Sequence, residues 1–282
     1  MNRHFPILAV VILFWCLAIS LPAVAQPNNI QNTIDSLNLV IHKRPSDPFP
    51  VYEKAMLFLA SGSKDEAFRF FRQVGLMHDQ NPDTSYKHIA AESYYHMADL
   101  TYNSAKSKKE AYNYALAALK LYPKEKKYRI MSARVLVTIP ETKNDGEGQF
   151  ETLVKEYPND TEVLLEYATY LEKSAPDRAA KMYEKVLRNN PSDARSLYAL
   201  GNYEANKGVG QTNPDKAVAY YLKAEGYLVA ALQKDPTNDL YRKKLGDLYS
   251  NITWYYKRQK SKDATEKTAL YQRKFDELGV KK

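Results

Sequence analysis

Two histidines and a glutamate stand at a spacing that is typical of metal ligands. His88, Glu92 and His96 recur every four residues, so on a helix their side chains lie along one face. A zinc site needs further features, and the sequence has neither a His-Glu-x-x-His core nor a nearby cysteine or clear fourth ligand. We therefore interpret the three residues as a polar helix face and predict no metal site.

A glycine-containing segment, Gly-Val-Gly-Gln at residues 208–211, is a second place where chemistry could occur. A phosphate-binding loop follows a strand and ends in Gly-Lys-Ser or Gly-Lys-Thr, and neither feature is present here. We interpret the segment as a turn inserted between two helices. The sequence also lacks a serine elbow, a cysteine–histidine pair and an isolated pair of carboxylates. It predicts a protein that is not an enzyme and that uses no cofactor.

The composition is that of a folded protein. Of the 282 residues, 44% are hydrophobic and 26% are charged, which excludes wholesale disorder. A single cysteine excludes a disulfide scaffold and a zinc site built from cysteines. The net charge of +8 is dispersed, and most of the 23 tyrosines fall on packing positions. We therefore predict no nucleic-acid partner and at most a peripheral association with membranes.

The first 25 residues are typical of an export signal. A short basic start precedes an apolar run over residues 5–21, and the small residues Ala23 and Ala25 stand where a signal peptidase requires them. We expect cleavage before Gln26 and a product without lipid. An uncleaved anchor is the alternative, because the run is only slightly shorter than the roughly 20 residues that span a bilayer.

Prolines punctuate the rest of the chain at a period near 34 residues, with two insertions. They stand at positions 82, 123, 158, 191 and 236, so the intervals are 41, 35, 33 and 45 residues. Each period holds two stretches with apolar residues at helical spacing and small residues where two helices would cross. Because one helix pair cannot bury its apolar face alone, the pattern predicts that neighbouring pairs stack.

This pattern resembles the tetratricopeptide repeat (TPR), a 34-residue helix-turn-helix unit with small residues at positions 8, 20 and 27 and proline at 32. In the fourth unit, Tyr167, Ala179 and Tyr183 stand at positions 8, 20 and 24. Five units match, and a sixth, degenerate unit starts near Asp239. The chain is identified as an exported bacterial member of the family. The resemblance implies an all-α, TPR-type helix-turn-helix solenoid, a right-handed superhelix of about five to six repeats.

We expect four segments along the chain. They are a signal peptide over residues 1–25, an N-terminal capping segment over 26–47, a TPR array over 48–237, and a degenerate repeat with a C-terminal capping helix over 238–282. In the third unit, the loop-like stretch at residues 144–148 predicts that the second helix starts late.

The resemblance also implies where a partner would bind, because the concave groove of TPR proteins is lined by first-helix positions such as 5 and 9. In this sequence these positions are Tyr52 and Met56, His96 and Leu100, Met131 and Val135, Leu164 and Ala168, and Tyr198 and Asn202. The sixth unit offers Lys243 and Asp247. Such a lining, apolar with polar ends, favours an extended or helical peptide segment. The alternative is that these side chains pack against a neighbouring helix.

One TPR subclass clamps the acidic C-termini of cytosolic chaperones with lysine at position 5 and asparagine at position 9 of one repeat. Asn202 is present, but Tyr198 stands where the lysine is required, and no other unit supplies the pair. We therefore exclude that partner.

These observations predict a non-catalytic scaffold or adaptor that is exported to the bacterial cell envelope, periplasmic or secreted. Its partners would be other exported or envelope proteins, held by a peptide segment in the groove. The alternative is a module that binds an envelope polymer, glycan or peptidoglycan, through a Tyr-rich face. An accessory to a hydrolase, or a cryptic enzyme, is a third option.

Overall fold

The computed structural model describes residues 27–104, 107–259 and 261–280, and the predicted signal peptide lies outside them. Within these ranges the chain forms thirteen α-helices, two single turns of 3-10 helix and no strand. The helices are α1 (Pro27–Lys43), α2 (Pro48–Ala60), α3 (Lys64–Gln80), α4 (Lys87–Asn103), α5 (Lys108–Leu121), α6 (Lys126–Leu136), α7 (Lys143–Glu156), α8 (Thr161–Ser174), α9 (Pro176–Asn189), α10 (Ala194–Val209), α11 (Pro214–Lys234), α12 (Asp239–Tyr256) and α13 (Lys262–Glu277).

The chain divides into two compact units, Met1–Leu100 and Thr101–Lys282. In the first unit, α1 packs on α2, and α2 packs on α3. In the second unit, each helix packs on its neighbour in sequence, and α6–α7, α8–α9, α10–α11 and α12–α13 form helical hairpins. The boundaries predicted for the capping segments and the array stay a prediction.

Polar N-caps fix where the first helix begins in three of the four described hairpins of the second unit. The side chains of Asp160, Asp193 and Asn238 each accept a hydrogen bond from a backbone N–H in the first turn that follows. Each cap stands two residues after a proline that cannot continue the preceding helix. The proline period seen in the sequence therefore marks the end of one hairpin and the start of the next.

Small residues stand where the two helices of a hairpin cross. Counting from the residue after the N-cap, the eighth residue of the first helix is buried and is always alanine or glycine. These residues are Ala55 in α2, Ala133 in α6, Ala168 in α8, Gly201 in α10 and Gly246 in α12. Small residues near the start of the second helices are buried as well, namely Ala67, Ala111, Gly146, Ala179, Ala217 and Ala264. This pairing lets the two backbones approach closely.

Two glycine-containing segments differ from the prediction. The second helix of the third unit does not start late, because α7 already begins at Lys143. A Cβ on Gly146 would lie 2.7 Å from the backbone nitrogen of Val137, so this glycine makes a close helix contact instead of a loop. In the 208–211 segment, Gly208 is still part of α10 and lies against Tyr221 of α11, so the turn starts only at Gly210.

The two glycines of α7 give a matched test of these crossings. Gly146→Ala should destabilise the protein by about 1–3 kcal/mol, because the added methyl group meets backbone that cannot move aside. Gly148→Ala, two residues away in the same helix with no atom within 4 Å of the new Cβ, should stabilise it by about 0.4–1 kcal/mol. Urea unfolding of both variants measures the difference. Equal effects of the same sign would contradict the close crossing.

Candidate functional site

The histidine–glutamate pattern on α4 is engaged in packing. The ring of His96 stacks on the buried ring of Phe71 with 4.8 Å between centroids. Glu92 is buried, and its Oε1 lies 3.9 Å from Nε2 of His88. Across the described ranges, no three or more His, Cys, Asp or Glu side chains are grouped so that they could hold a metal ion. This helix face therefore offers no chemistry that we can assign.

Four of the predicted groove residues are buried in the second unit. Met131, Val135, Leu164 and Ala168 are each exposed by 1% or less, so their side chains offer no surface to a partner. The reason is the register of the first helices. The repeat that begins at Lys126 has 35 residues and the one at Thr161 has 33, so turns of unequal length shift a strict 34-residue frame by one position.

Counting from the N-caps corrects the register. Positions 5 and 9 of α8 are Leu165 and Thr169, which are half-buried and exposed respectively, in place of Leu164 and Ala168. In α6 the same positions are Ile130, which is buried, and Arg134, which is half-buried, in place of Met131 and Val135. We therefore remove the four buried residues from the proposed site.

The first unit holds four further predicted groove residues, all of them half-buried: Tyr52, Met56, His96 and Leu100. The ring of Tyr52 lies 5.9 Å from that of Phe71, which also stacks on His96. Burial, with a smaller contribution from Glu92, raises the pKa of Tyr52 to about 12. These rings contribute to the core of the first unit.

The remaining pair, Tyr198 and Asn202, lies in an open cleft of about 480 Å³ in the second unit. One wall is α10, on which Tyr198, Asn202 and Asn206 follow each other at intervals of four residues and so form one stripe. The other wall consists of the end of α8 and the first two turns of α9. Ala179, Ala180 and the other small side chains between the walls leave the space open.

The polar groups on the α10 wall differ in how they are held. The ring of Tyr198 stacks on Tyr241 of α12 with 4.8 Å between centroids, so this residue packs as well as lines the cleft. The side-chain amides of Asn202 and Asn206 make no hydrogen bond to any described residue. Each amide can donate and accept, which is the pairing that a peptide backbone offers.

Two tyrosine hydroxyl groups are tied to carboxylates at the edges of the cleft. Tyr183 donates to Oε1 of Glu172 at 2.6 Å, and Tyr203 donates to Oδ1 of Asp177 at 2.5 Å. Burial, followed by the hydrogen bond to Glu172, raises the pKa of Tyr183. The hydrogen bond to Asp177, followed by burial, raises the pKa of Tyr203 to about 12. The half-buried ring of Tyr203 presents apolar surface to the cleft, whereas Tyr183 is only 2% exposed and packs beneath it.

The 34-residue repeat pattern did not predict every residue that lines this cleft. Tyr203 and Asn206 were not assigned to any site, although both line the space. Tyr183 stands at a repeat position that predicts packing, and its side chain is 2% exposed. Asn206 could have been found, since it follows Asn202 by one helical turn. Tyr203 could not, because nothing in the sequence indicates that Asp177 of α9 lies beside it.

Comparisons with known proteins agree on the fold. A family model described as the plant-specific mitochondrial import receptor subunit TOM20 matches residues 148–264, less than half of the chain. A TPR repeat-containing protein from Cytophaga hutchinsonii is similar with a TM-score of 0.62 and 13% identity, over 89% of this chain and 91% of that one. A TPR protein from Parabacteroides merdae is similar with a TM-score of 0.52 and 15% identity, over 83% of this chain and 94% of that one. The pilF protein of Pseudomonas aeruginosa is similar with a TM-score of 0.52 and 18% identity, over 78% of this chain and 90% of that one.

The all-α, TPR-type fold predicted from the sequence is confirmed by these similarities and by the helix pairs described above. The predicted localisation is wrong. The family model describes a subunit of a mitochondrial import receptor, which points away from the bacterial periplasm and from secretion. Among the described helices, none has both the length and the apolar composition needed to cross a bilayer.

The Tyr203–Asp177 hydrogen bond makes a prediction about pH. Asp177→Asn should lower the pKa of Tyr203 from about 12 towards the usual value, because a neutral amide replaces the carboxylate that stabilises the phenol proton. The stability that this raised pKa provides is present below the ordinary tyrosine pKa of about 10 and is lost as the pH rises through about 12. Absorbance of ionised tyrosine, with Tyr203→Phe to assign the signal, measures the change.

Asp239→Asn serves as the control for this titration, since Asp239 is exposed and pairs with Arg242 instead of a tyrosine. An unchanged Tyr203 titration in the Asp177 variant would show that the hydrogen bond does not hold the phenol neutral.

Proposed function

We propose that this chain, a TPR protein by its fold, binds an extended segment of a partner protein in the cleft between α9 and α10. Its role is then that of an interaction scaffold. The fold supports this at a coarse level, because TPR folds are typically non-catalytic scaffolds for protein–protein interaction. The cleft supplies the finer part of the proposal.

The observation that carries the proposal is a pair of amides that make no hydrogen bond to any described residue and lie beside an apolar floor. Asn202 and Asn206 stand one helical turn apart, and Ala179, Ala180 and Ala199 lie beside them in the same cleft. An extended peptide has backbone donors and acceptors for the amides and side chains that can fill the alanine-lined space. The half-buried ring of Tyr203 provides further apolar contact at one edge.

The cleft is also prepared for binding at little entropic cost. Tyr198 is held by its stack on Tyr241, and the phenols of Tyr183 and Tyr203 are fixed by their carboxylate partners. Side chains that are already ordered lose little rotamer freedom when a partner arrives. Rigid aromatic residues around a small apolar space are the usual composition of an interface hot spot.

The Asn202 amide can be tested without disturbing the fold. Ten-residue peptides selected on the full chain from a random displayed library should bind Asn202→Ala about three- to tenfold more weakly, the loss expected for one or two hydrogen bonds. The melting temperature should stay unchanged, because Asn202 has no hydrogen-bond partner within the described protein. Fluorescence anisotropy with labelled peptides measures the affinity.

Asn113→Ala is the matched control, since Asn113 is an exposed asparagine on α5 and takes no part in the cleft. Selected peptides that bind both variants equally well would contradict the proposed site.

A receptor for proteins that enter the mitochondrion is a second candidate function. One observation favours it: the matched range of the import-receptor family model, residues 148–264, includes every residue that lines the cleft. A receptor of this kind should bind a basic amphipathic targeting peptide at least tenfold more tightly than a scrambled peptide of the same composition. Equal affinity for the two peptides, measured by anisotropy, would exclude this candidate and leave the more general scaffold role intact.

A further inference from the structure

Large apolar side chains are exposed on the cleft helix α10 and on the next first helix, α12. The described residues of the second unit expose five of them, namely Val209, Leu222, Leu240, Trp254 and Leu270. Val209 lies on α10, and Leu240 and Trp254 lie on α12, whereas none of the five lies on α6 or α8. Trp254 is 59% exposed, although tryptophan is a highly buried residue type on average. Exposed apolar groups that share one side of a protein indicate a contact surface.

The position along the helix puts Val209 and Trp254 at the same level as the cleft. Counting from the residue after the N-cap, Val209 of α10 and Trp254 of α12 are both the sixteenth residue. The same count from Thr161 of α8 reaches Pro176, which lines the cleft. The three residues therefore stand at the same end of consecutive hairpins, where the first helix gives way to the second.

The helical period puts both side chains on the exposed face of their helix. Val209 follows Asn202 by about two turns, so it lies on the stripe that forms one wall of the cleft. On α12 the exposed residues that follow each other at intervals of three or four form a second stripe, namely Leu240, Lys243, Asp247, Asn251 and Trp254. Because Lys243 and Asp247 have opposite charges, this stripe selects a partner by its apolar groups and not by the sign of a charge.

A direct contact joins the two helices that carry these stripes. Tyr198, which lines the cleft, stacks on Tyr241 of α12 with 4.8 Å between ring centroids. The exposed stripe of α12 is therefore the surface next to the cleft on that side. The indole of Trp254 is held in place there, because the guanidinium of Arg258 lies 3.4 Å from its ring centroid. An aromatic side chain that is already ordered loses little rotamer freedom when a partner binds.

We infer that the partner segment held in the cleft continues across α12 and places an apolar side chain against Trp254, an inference that rests on the proposed function. An extended segment of ten residues is about 33 Å long, whereas the cleft wall from Tyr198 to Asn206 is only about 12 Å long, so the segment must leave the cleft. The exposed apolar groups are on the α12 side, which gives the direction. Neighbouring helices lie about 10 Å apart, so roughly three extended residues separate the cleft from Trp254.

Indole fluorescence measures this contact directly. The chain has 2 tryptophans, Trp15 and Trp254, so in the full chain with Trp15→Phe the emission reports on α12 alone. The probes are the selected ten-residue peptides whose affinity falls in Asn202→Ala. We expect them to move the emission to shorter wavelength, because an apolar side chain displaces water from the indole. Of the two halves of each peptide, the half that still depends on Asn202 should bind without this shift.

Trp254→Ala separates the contact from the fold. Because Trp254 is exposed, we expect a nearly unchanged melting temperature, at least about fivefold weaker binding of the ten-residue peptides, and unchanged binding of the half that fills the cleft. Leu222→Ala is the matched control, since Leu222 is an apolar residue of α11 that is 41% exposed and belongs to neither stripe. This variant should bind all peptides normally.

An unchanged emission with peptides that depend on Asn202 would overturn the inference and leave the proposed function intact. Peptides that shift the emission with the same affinity in the presence and absence of Asn202→Ala would make α12 a separate site and would also overturn it. An emission that changes with protein concentration alone would assign the stripe to a second copy of this chain, with the same consequence. If no selected peptide depends on Asn202, the proposed function itself fails.

Discussion

Two helices can approach closely only where their side chains are small, and the hairpins described above have alanine or glycine at the crossing. A Cβ on Gly201 would lie 2.6 Å from Cγ of Leu228, and one on Gly146 would lie 2.7 Å from the backbone of Val137. The buried alanines of the other crossings occupy the equivalent places. These contacts fix the distance between the helices of a pair and the rotation of each helix. The rotation in turn decides which residues are buried and which face a partner.

Tyrosines then fill the space between one helix pair and the next. Their rings are buried while their hydroxyl groups reach charged groups at the surface, which suits an amphipathic side chain. Tyr167 accepts from Arg178, which also bonds to Glu147 and Glu151 across α7 and α9, and Tyr271 donates to Glu225 of α11. Burial is the first cause of the raised pKa of Tyr167 and of Tyr271. The same construction forms the edges of the cleft, so the candidate site is a place where inter-helix packing is left open on one side.

The helices and their crossings could be predicted from the sequence because local features determine them. These features are prolines, N-caps, and alanine or glycine at fixed intervals. The residues that line the cleft could be predicted only where those signals have a regular spacing. Tyr198 and Asn202 line an open cleft, and at α10 the frame agrees with the cap at Asp193. Leu164 and Ala168 were displaced by one residue, because the repeat before α8 has 35 residues and the repeat that starts with α8 has 33. The contact of Tyr203 with Asp177 depends on tertiary packing that no periodicity reveals. The N-terminal apolar run, in turn, led to a localisation that the family comparison overturns.

The register of α8 tests the central claim most directly, namely that the small residue at each crossing decides which side chains face outward. In a Cys16→Ser background, Leu164→Cys and Leu165→Cys place one thiol at adjacent positions of the same helix, and maleimide labelling of the folded protein measures their exposure. Leu164 is fully buried and Leu165 is only half-buried, so the account predicts that the thiol at 165 reacts much faster than the thiol at 164. Faster labelling at 164 would restore the strict 34-residue frame and would contradict the role assigned to Ala168 at the crossing.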